Sequence, residues 1–383
     1  IDGSSRFGED NKYGFLPSGA IAWRLSNEEF IRQTNLFDDL RIKIGYGKTG
    51  NQDIGNYQSL SMLSSTSTML GNQVFIGFAP VNLANPDLKW ETSSQFDIGL
   101  NMTILKGLIS LDANYYNKIT NDLLFYLPLP SSSGYDNSLV NLGEVKNEGV
   151  EFQFRANLLN SKKTNWNVNF NISSNKNEII DLGERGSFLT GQELTRGTGN
   201  IFLVDEGLSL GTFYGRVFDG ISDEGEVQYK EINGEDRSVI GCAQPDFTGG
   251  IMSRLSYGNF EFMFNINFVY GNEVFNVNRF ELDMPNGFQN NSTDVLNRWT
   301  TDNKNTTIPK ASAARGLQFD DRFLEDGSYL RFQNIRLTYN LPSDLLNRVN
   351  IKNMRLFVSG ENLITITDYS GFDPEANTFG QSN

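Results

Sequence analysis

The sequence predicts an all-β protein, part of an antiparallel transmembrane β-barrel. Three observations carry this: long stretches of period-two alternation, almost no helical periodicity, and a strict succession of short and long connections. In the first clear segment Leu40, Ile42, Ile44 and Tyr46 share one face. Phe96, Ile98, Leu100, Met102 and Ile104 oppose Asp97, Gly99, Asn101 and Thr103. Val150, Phe152, Phe154, Ala156 and Leu158 then oppose Glu151, Gln153, Arg155 and Asn157. Trp166, Val168, Phe170 and Ile172 oppose Asn165, Asn167, Asn169 and Asn171, and Phe260 to Tyr270 repeats the pattern, with Asn265 and Asn267 on its polar side. Side chains alternate across a strand, so each segment has an oily side and a wet side.

The segments exceed the five or six residues common in globular strands and suit a tilted bilayer crossing of about 9–11 residues. Ten wall strands are expected at about 15–24, 39–49, 88–105, 108–126, 148–159, 165–180, 246–257, 260–272, 327–341 and 351–363. Tight connections are expected at Lys106-Gly107, Asn160 to Thr164, Gly258-Asn259 and Pro342 to Asn350. Long ones fall at about 50–87, 127–146, 181–245, 271–326 and 364–383, and all tight turns must lie on one side. That parity puts Leu208 to Phe218 in a loop rather than the wall. It also leaves the wall without a closing inward strand, so residues 1–383 are expected to be a partial barrel domain, a piece of something longer. Trp23, Tyr46, Trp90, Tyr115, Trp166, Tyr257, Tyr329 and Tyr339 lie near strand ends, where aromatic girdles meet the two interfaces.

Composition narrows the function. There is no His, one Cys, and a balance of 32 basic against 46 acidic residues, for a net charge of −14. The usual general base, disulfide frameworks and Cys-rich metal sites are therefore absent, and nothing offers a footprint for nucleic acid. No apolar run is long enough for a transmembrane helix, although barrels conceal their membrane signal in alternation. Asp38-Asp39 and Asp320-Asp321 are adjacent acids that face opposite ways on a strand, so neither reads as a catalytic dyad. The expectation is a protein that is not an enzyme. Cys242 has no basic residue within four positions and reads as an inert loop thiol.

Seven separate stretches resemble the SusC/RagA-like TonB-linked outer-membrane proteins, in that family's order: Leu40–Tyr57 (LRIKIGYGKTGNQDIGNY), Asn85–Leu100 (NPDLKWETSSQFDIGL), Leu142–Phe152 (LGEVKNEGVEF), Gly211–Ile221 (GTFYGRVFDGI), Asn297–Ala314 (NRWTTDNKNTTIPKASAA), Arg322–Pro342 (RFLEDGSYLRFQNIRLTYNLP) and Ser359–Glu375 (SGENLITITDYSGFDPE). The resemblance implies a barrel of about 22 strands around a plug, of which these would be the twelfth to the twenty-first. It implies an importer of a large nutrient, glycan or oligopeptide, in the outer membrane of a Gram-negative bacterium among lipid and lipopolysaccharide. A SusD-like lipoprotein would cap it, and TonB would act through N-terminal regions outside this sequence. A surface adhesin or structural barrel without a transport cycle is the alternative. A siderophore receptor is a third reading, which would lack the SusC-type signatures.

Outer-loop aromatics are the expected contacts. Tyr57, Tyr135 and Phe218 are candidates for stacking on sugars or packing against peptide side chains. Phe213, Tyr214 and Trp299 belong to the shared signatures and read as loop-structural or partner-contacting. No cofactor is expected. Relatives often carry an EF-hand-like run near Asp219–Arg237, but here Glu231, Asn233 and Glu235 lack the glycine turn that follows. A solvated acidic loop is the reading, with Ca2+ on those three residues as the alternative. The Asn-rich faces suit either a hydrated lumen or contact with a plug.

Overall fold

The computed structural model describes residues 1–383 apart from 72, 136, 192–198, 287–289, 314–315, 317, 349 and 376–383. Its frame is a ten-stranded antiparallel sheet: β1 (Ser18–Arg24), β2 (Phe37–Asn51), β3 (Glu91–Ile104), β4 (Ile109–Asn121), β5 (Glu144–Asn160), β6 (Thr164–Asp181), β7 (Phe247–Tyr257), β8 (Phe260–Tyr270), β9 (Tyr329–Asn340) and β10 (Arg355–Thr367). Each strand pairs with its neighbour in the chain, from β1 at one edge to β10 at the other, and the sheet does not close on itself. Ten wall strands and an unclosed wall are what the alternation predicts. β10 starts four residues later than expected, because Ser343–Asn347 is helical and Asn350 turns with φ 56°.

Register turns ten amphipathic strands into one two-faced wall. A single row runs Leu40–Met102–Leu111–Phe154–Phe170–Ile251–Ile266–Phe332–Ile364, one apolar residue from each strand β2 to β10. A one-residue slip anywhere would send a whole strand's apolar set to the other face, so this register is strongly specified. Much of the apolar face lies open: Ile21 is 78% exposed and Val358 68%. The buried apolar clusters lie elsewhere, around Phe7, Leu88 and Trp90, around Ile179 and Val204, and around Phe213 and Phe280. All three sit at the end of the wall where the long connections emerge.

Two residues expected in the aromatic girdles belong instead to these interiors. Trp90 is 6% exposed, packs on Phe7, and donates its indole N–H to the Lys12 carbonyl. Tyr329 is 7% exposed on the polar face, where its hydroxyl donates to Glu375 at 2.9 Å. Strand-end position alone does not say which face an aromatic occupies. Trp23, Tyr46, Tyr115 and Tyr257 remain exposed on the apolar side.

The polar face is a hydrogen-bonded lattice. Asn265 and Asn267 both donate to Gln333, the extra residue of a bulge between Phe332 and Asn334. Asn175 and Asn177 converge on Asn147, and Tyr116 donates to Asn175. Gly149 explains its place in the LGEVKNEGVEF stretch. It pairs with Tyr116, and a Cβ there would sit 2.6 Å from the Tyr116 hydroxyl and 2.3 Å from the Ser174 carbonyl. A strand glycine often marks such close approach. Gly149→Val is expected to cost about 1–3 kcal/mol by overpacking, read as a lower denaturation midpoint of the refolded protein; an unchanged midpoint would refute the packing account.

Candidate functional site

Connections between 181 and 247 and between 270 and 329 build a folded assembly above the wall. Phe188–Thr190, Phe202–Val204, Thr212–Gly215 and Ser238–Cys242 form a four-stranded sheet. Phe213, 3% exposed, packs between Phe202 and Phe319 at ring separations of 4.9 and 6.1 Å. The adjacent Tyr214 donates to Glu235 at 3.0 Å, and its hydroxyl is pushed upward in pKa, first by burial and then by that carboxylate. Trp299 lies against Gly225, whose φ of +83° and missing side chain admit the indole. The structure thus gives Phe213, Tyr214 and Trp299 contacts internal to the loops.

An arginine network joins the two connections. Asp320 is fully buried and takes two hydrogen bonds from the Arg322 guanidinium, at 2.9 and 2.6 Å, and one from the Tyr229 hydroxyl at 3.2 Å. Burial, and then the Asp320 charge, drive the Tyr229 pKa strongly upward. Arg322 also lies 4.3 Å over the Phe218 ring, whose backbone N–H donates to Asp321. Phe218 and Arg322 line one hollow of about 680 Å3, with Phe323, Asn297, Asn305 and Asp294. A second hollow of about 470 Å3 adjoins it, and the two share Arg279, Asp283 and Asp294.

Of the other candidates, Tyr57 is 67% exposed with φ 63°, in the connection between β2 and β3. Tyr135 is half-buried in the connection between β4 and β5, its backbone held by the Ser133 hydroxyl. The three aromatics expected to meet cargo therefore lie in three different connections. Glu231, Asn233 and Glu235 fall on a tight hairpin closed by Ile232 and Glu235. Glu235 is engaged by Tyr214, and among the described residues no group of three acidic or thiol side chains is gathered for a metal ion. Cys242 is a free, half-buried thiol.

Alternation does not reveal how the segment after β10 is anchored. Glu325 accepts from the backbone N–H and hydroxyl of Ser370 at 2.7 and 2.8 Å, and from Arg279 and Asn276. Arg331, 6% exposed on β9, donates to Asp373 and Glu375, each at 2.5 Å. The YLR and FDPE parts of two separate sequence stretches are thus one ion-pair cluster. Burial opposes ionisation of Glu325 and Asp373, but hydrogen bonds outweigh it and hold both carboxyls below their ordinary values of 4.5 and 3.8. A depressed carboxyl contributes stability above its unfolded pKa and loses it as pH falls through the folded one. Amide protection at Ser370 and Glu375 is expected to hold at about pH 6 and fall at about pH 3, after correction for intrinsic exchange rates; equal protection at both would contradict the anchoring.

On the wall itself, Gln153, Asn169, Asn171, Thr248, Asn265 and Asn267 line a hollow of about 530 Å3 on the polar face. A single-layer antiparallel wall, oily on one side, amide-lined on the other and roofed by folded loops, defines a large membrane β-barrel. The chain belongs to the TonB-dependent receptor family: the family described as "TonB dependent receptor-like, beta-barrel" matches residues 1–363. It is 36% identical to TonB-dependent receptor P3 of Formosa agariphila, covering 100% of this chain and 40% of that protein. It is 27% identical to TonB-dependent receptor SusC of Bacteroides thetaiotaomicron, covering 98% and 39%. The structure of the RagAB peptide transporter superposes with a TM-score of 0.86 at 30% identity, over 98% of this chain and 42% of that one. The chain therefore spans about two fifths of the length of these relatives.

Proposed function

We propose that this chain forms part of the wall and outer mouth of an active importer in a Gram-negative outer membrane, which takes up a large nutrient, oligosaccharide or oligopeptide. The observation that carries this reading is the row of nine apolar residues crossing β2 to β10 on an exposed face, backed by an amide-lined one. Such a wall is stable with hydrocarbon on one side and water or a hydrated plug on the other. Kinship with SusC and with the RagAB peptide transporter supports a SusD-like lipoprotein as partner and TonB as energy source. Tyr57, Tyr135 and Phe218 are the residues of this chain assigned to cargo contact. No catalytic step and no cofactor form part of the reading.

The test is growth and uptake. The complete protein is expressed in its host with and without TonB and with and without the proposed SusD-like lipoprotein, and labelled oligosaccharides, oligopeptides and ferric siderophores are offered. Uptake of one of the first two classes that requires TonB supports the proposal. Uptake of the iron chelate alone would favour a siderophore receptor, and surface attachment without uptake an adhesin.

A further inference from the structure

The two adjoining hollows in the loop assembly have the form of a binding site for a linear ligand. They share Arg279 and Asp283, an ion pair 3.0 Å apart that joins one short helix to its C-cap, and Asp294. One hollow is lined by Phe218, Phe323, Asn297 and Asn305 among others. The other carries Asn278 and Ser292 and opens beside Phe372, whose side chain is 98% exposed. Sites of this size, with apolar walls and a few convergent polar groups, are where proteins hold organic ligands. Two such spaces joined at common residues suit successive units of an oligomer.

Charge selects among oligomers. Arg279 is committed to Asp283 and Glu325, and Arg322 to Asp320. Asp294 has no hydrogen-bond or ion-pair partner among the described residues. Two guanidiniums against four carboxylates leave no spare cation for an anionic ligand. An extended peptide can be gripped by an open strand edge, but the elements shared by both hollows are a helix, Val277–Leu282, and the turn Thr293–Asn297. What the hollows present is planar side-chain groups: a free carboxylate, primary amides, and an aromatic ring. A carboxylate accepts two hydroxyl protons, and an amide both donates and accepts, so adjacent hydroxyls on a ring satisfy them together.

We propose that these hollows are two adjacent subsites for a neutral oligosaccharide. Asp294 and Asn297 would bind hydroxyls on one unit, Asn278 would bind the next, and Phe372 would provide the apolar platform at the outer end. This rests on the import reading above by naming its cargo class and a place for it. Asp294, Asn297, Asn278 and Phe372 are all exposed, so replacing them leaves the core contacts intact.

The test uses the complete protein in detergent, probed on arrays of neutral oligosaccharides, uronate- or sulfate-bearing oligosaccharides, and tetra- to decapeptides. Capture of a neutral oligosaccharide, weakened at least tenfold by Asp294→Ala and by Asn278→Ala, supports the site. No capture of a neutral glycan, capture of peptides or anionic glycans only, or neutral binding indifferent to both variants overturns it. Uptake by cells carrying Asp294→Ala keeps the two ideas apart. TonB-dependent import that persists unaltered refutes the site and spares the importer. Glycan capture that Asp294→Ala weakens, with no TonB-dependent import even by the unaltered protein, refutes the importer and spares the site.

Discussion

Replacing Phe264 by arginine is expected to destabilise the wall in a lipid bilayer by about 2–4 kcal/mol. Phe264 lies halfway along β8 on the apolar face, between Ser253 of β7 and Ile335 of β9. A guanidinium there meets hydrocarbon at its deepest point, with no carboxylate among its cross-strand partners to pair it. The neighbouring Asn265 faces the other way, into the amide lattice with Gln333. Arginine at 265 would remove one hydrogen bond, for about 0.5–1.5 kcal/mol, and keep its charge in a polar setting. Reversible refolding into phospholipid vesicles across a denaturant series measures both. Equal costs for the two substitutions would mean that the faces are wrongly assigned.

Asp320→Ala is expected to be the most damaging change in the loops, at about 3–5 kcal/mol for the loop assembly. Asp320 is 0% exposed, and Arg322 has only 12% of its side chain accessible. Removing the carboxylate strands a largely buried guanidinium and the Tyr229 hydroxyl together. Arg322 also roofs Phe218 and donates to the Thr307 carbonyl, so its displacement would spread to both connections. Asp320→Asn keeps an acceptor and should cost less. Hydrogen exchange through 212–242 and 319–326 reports the loss directly, and a change of less than about 1 kcal/mol for Asp320→Ala would remove Asp320 from its central role.

The wall was legible in the sequence because its physics is local and periodic. Phe262 and Phe264 announce a face by their spacing alone, and nine such faces aligned produce the continuous row. The loop interior was not legible for the opposite reason. Phe202, Phe213, Phe275 and Phe319 meet across short, aperiodic segments, and no spacing relates Phe213 to Phe319. Arg331 and Asp373 stand 42 positions apart, and only their presence in two recurring stretches hinted at a shared role. Asp320 and Asp321 do part company, but not on a strand as the sequence suggested: Asp320 caps a 3-10 turn and Asp321 opens it. What geometry alone could not say is that Asp320 neutralises a buried arginine while Asp321 binds the Phe218 amide. Trp90 and Tyr329 show the limit from the other side: end-of-strand aromatics belong to a girdle only when they are on the outward face.

Because every wall strand pairs with its neighbour in the chain, the sheet is a succession of hairpins, and the long connections enter it only as tethers. The entropy lost in closing a tether grows with the logarithm of its length, so doubling one adds about 0.6 kcal/mol. Insertions and rearrangements between Asp181 and Phe247, or between Tyr270 and Tyr329, therefore leave the pairing of the barrel almost untouched. A lineage can re-tailor the outer loops while inheriting the same staves.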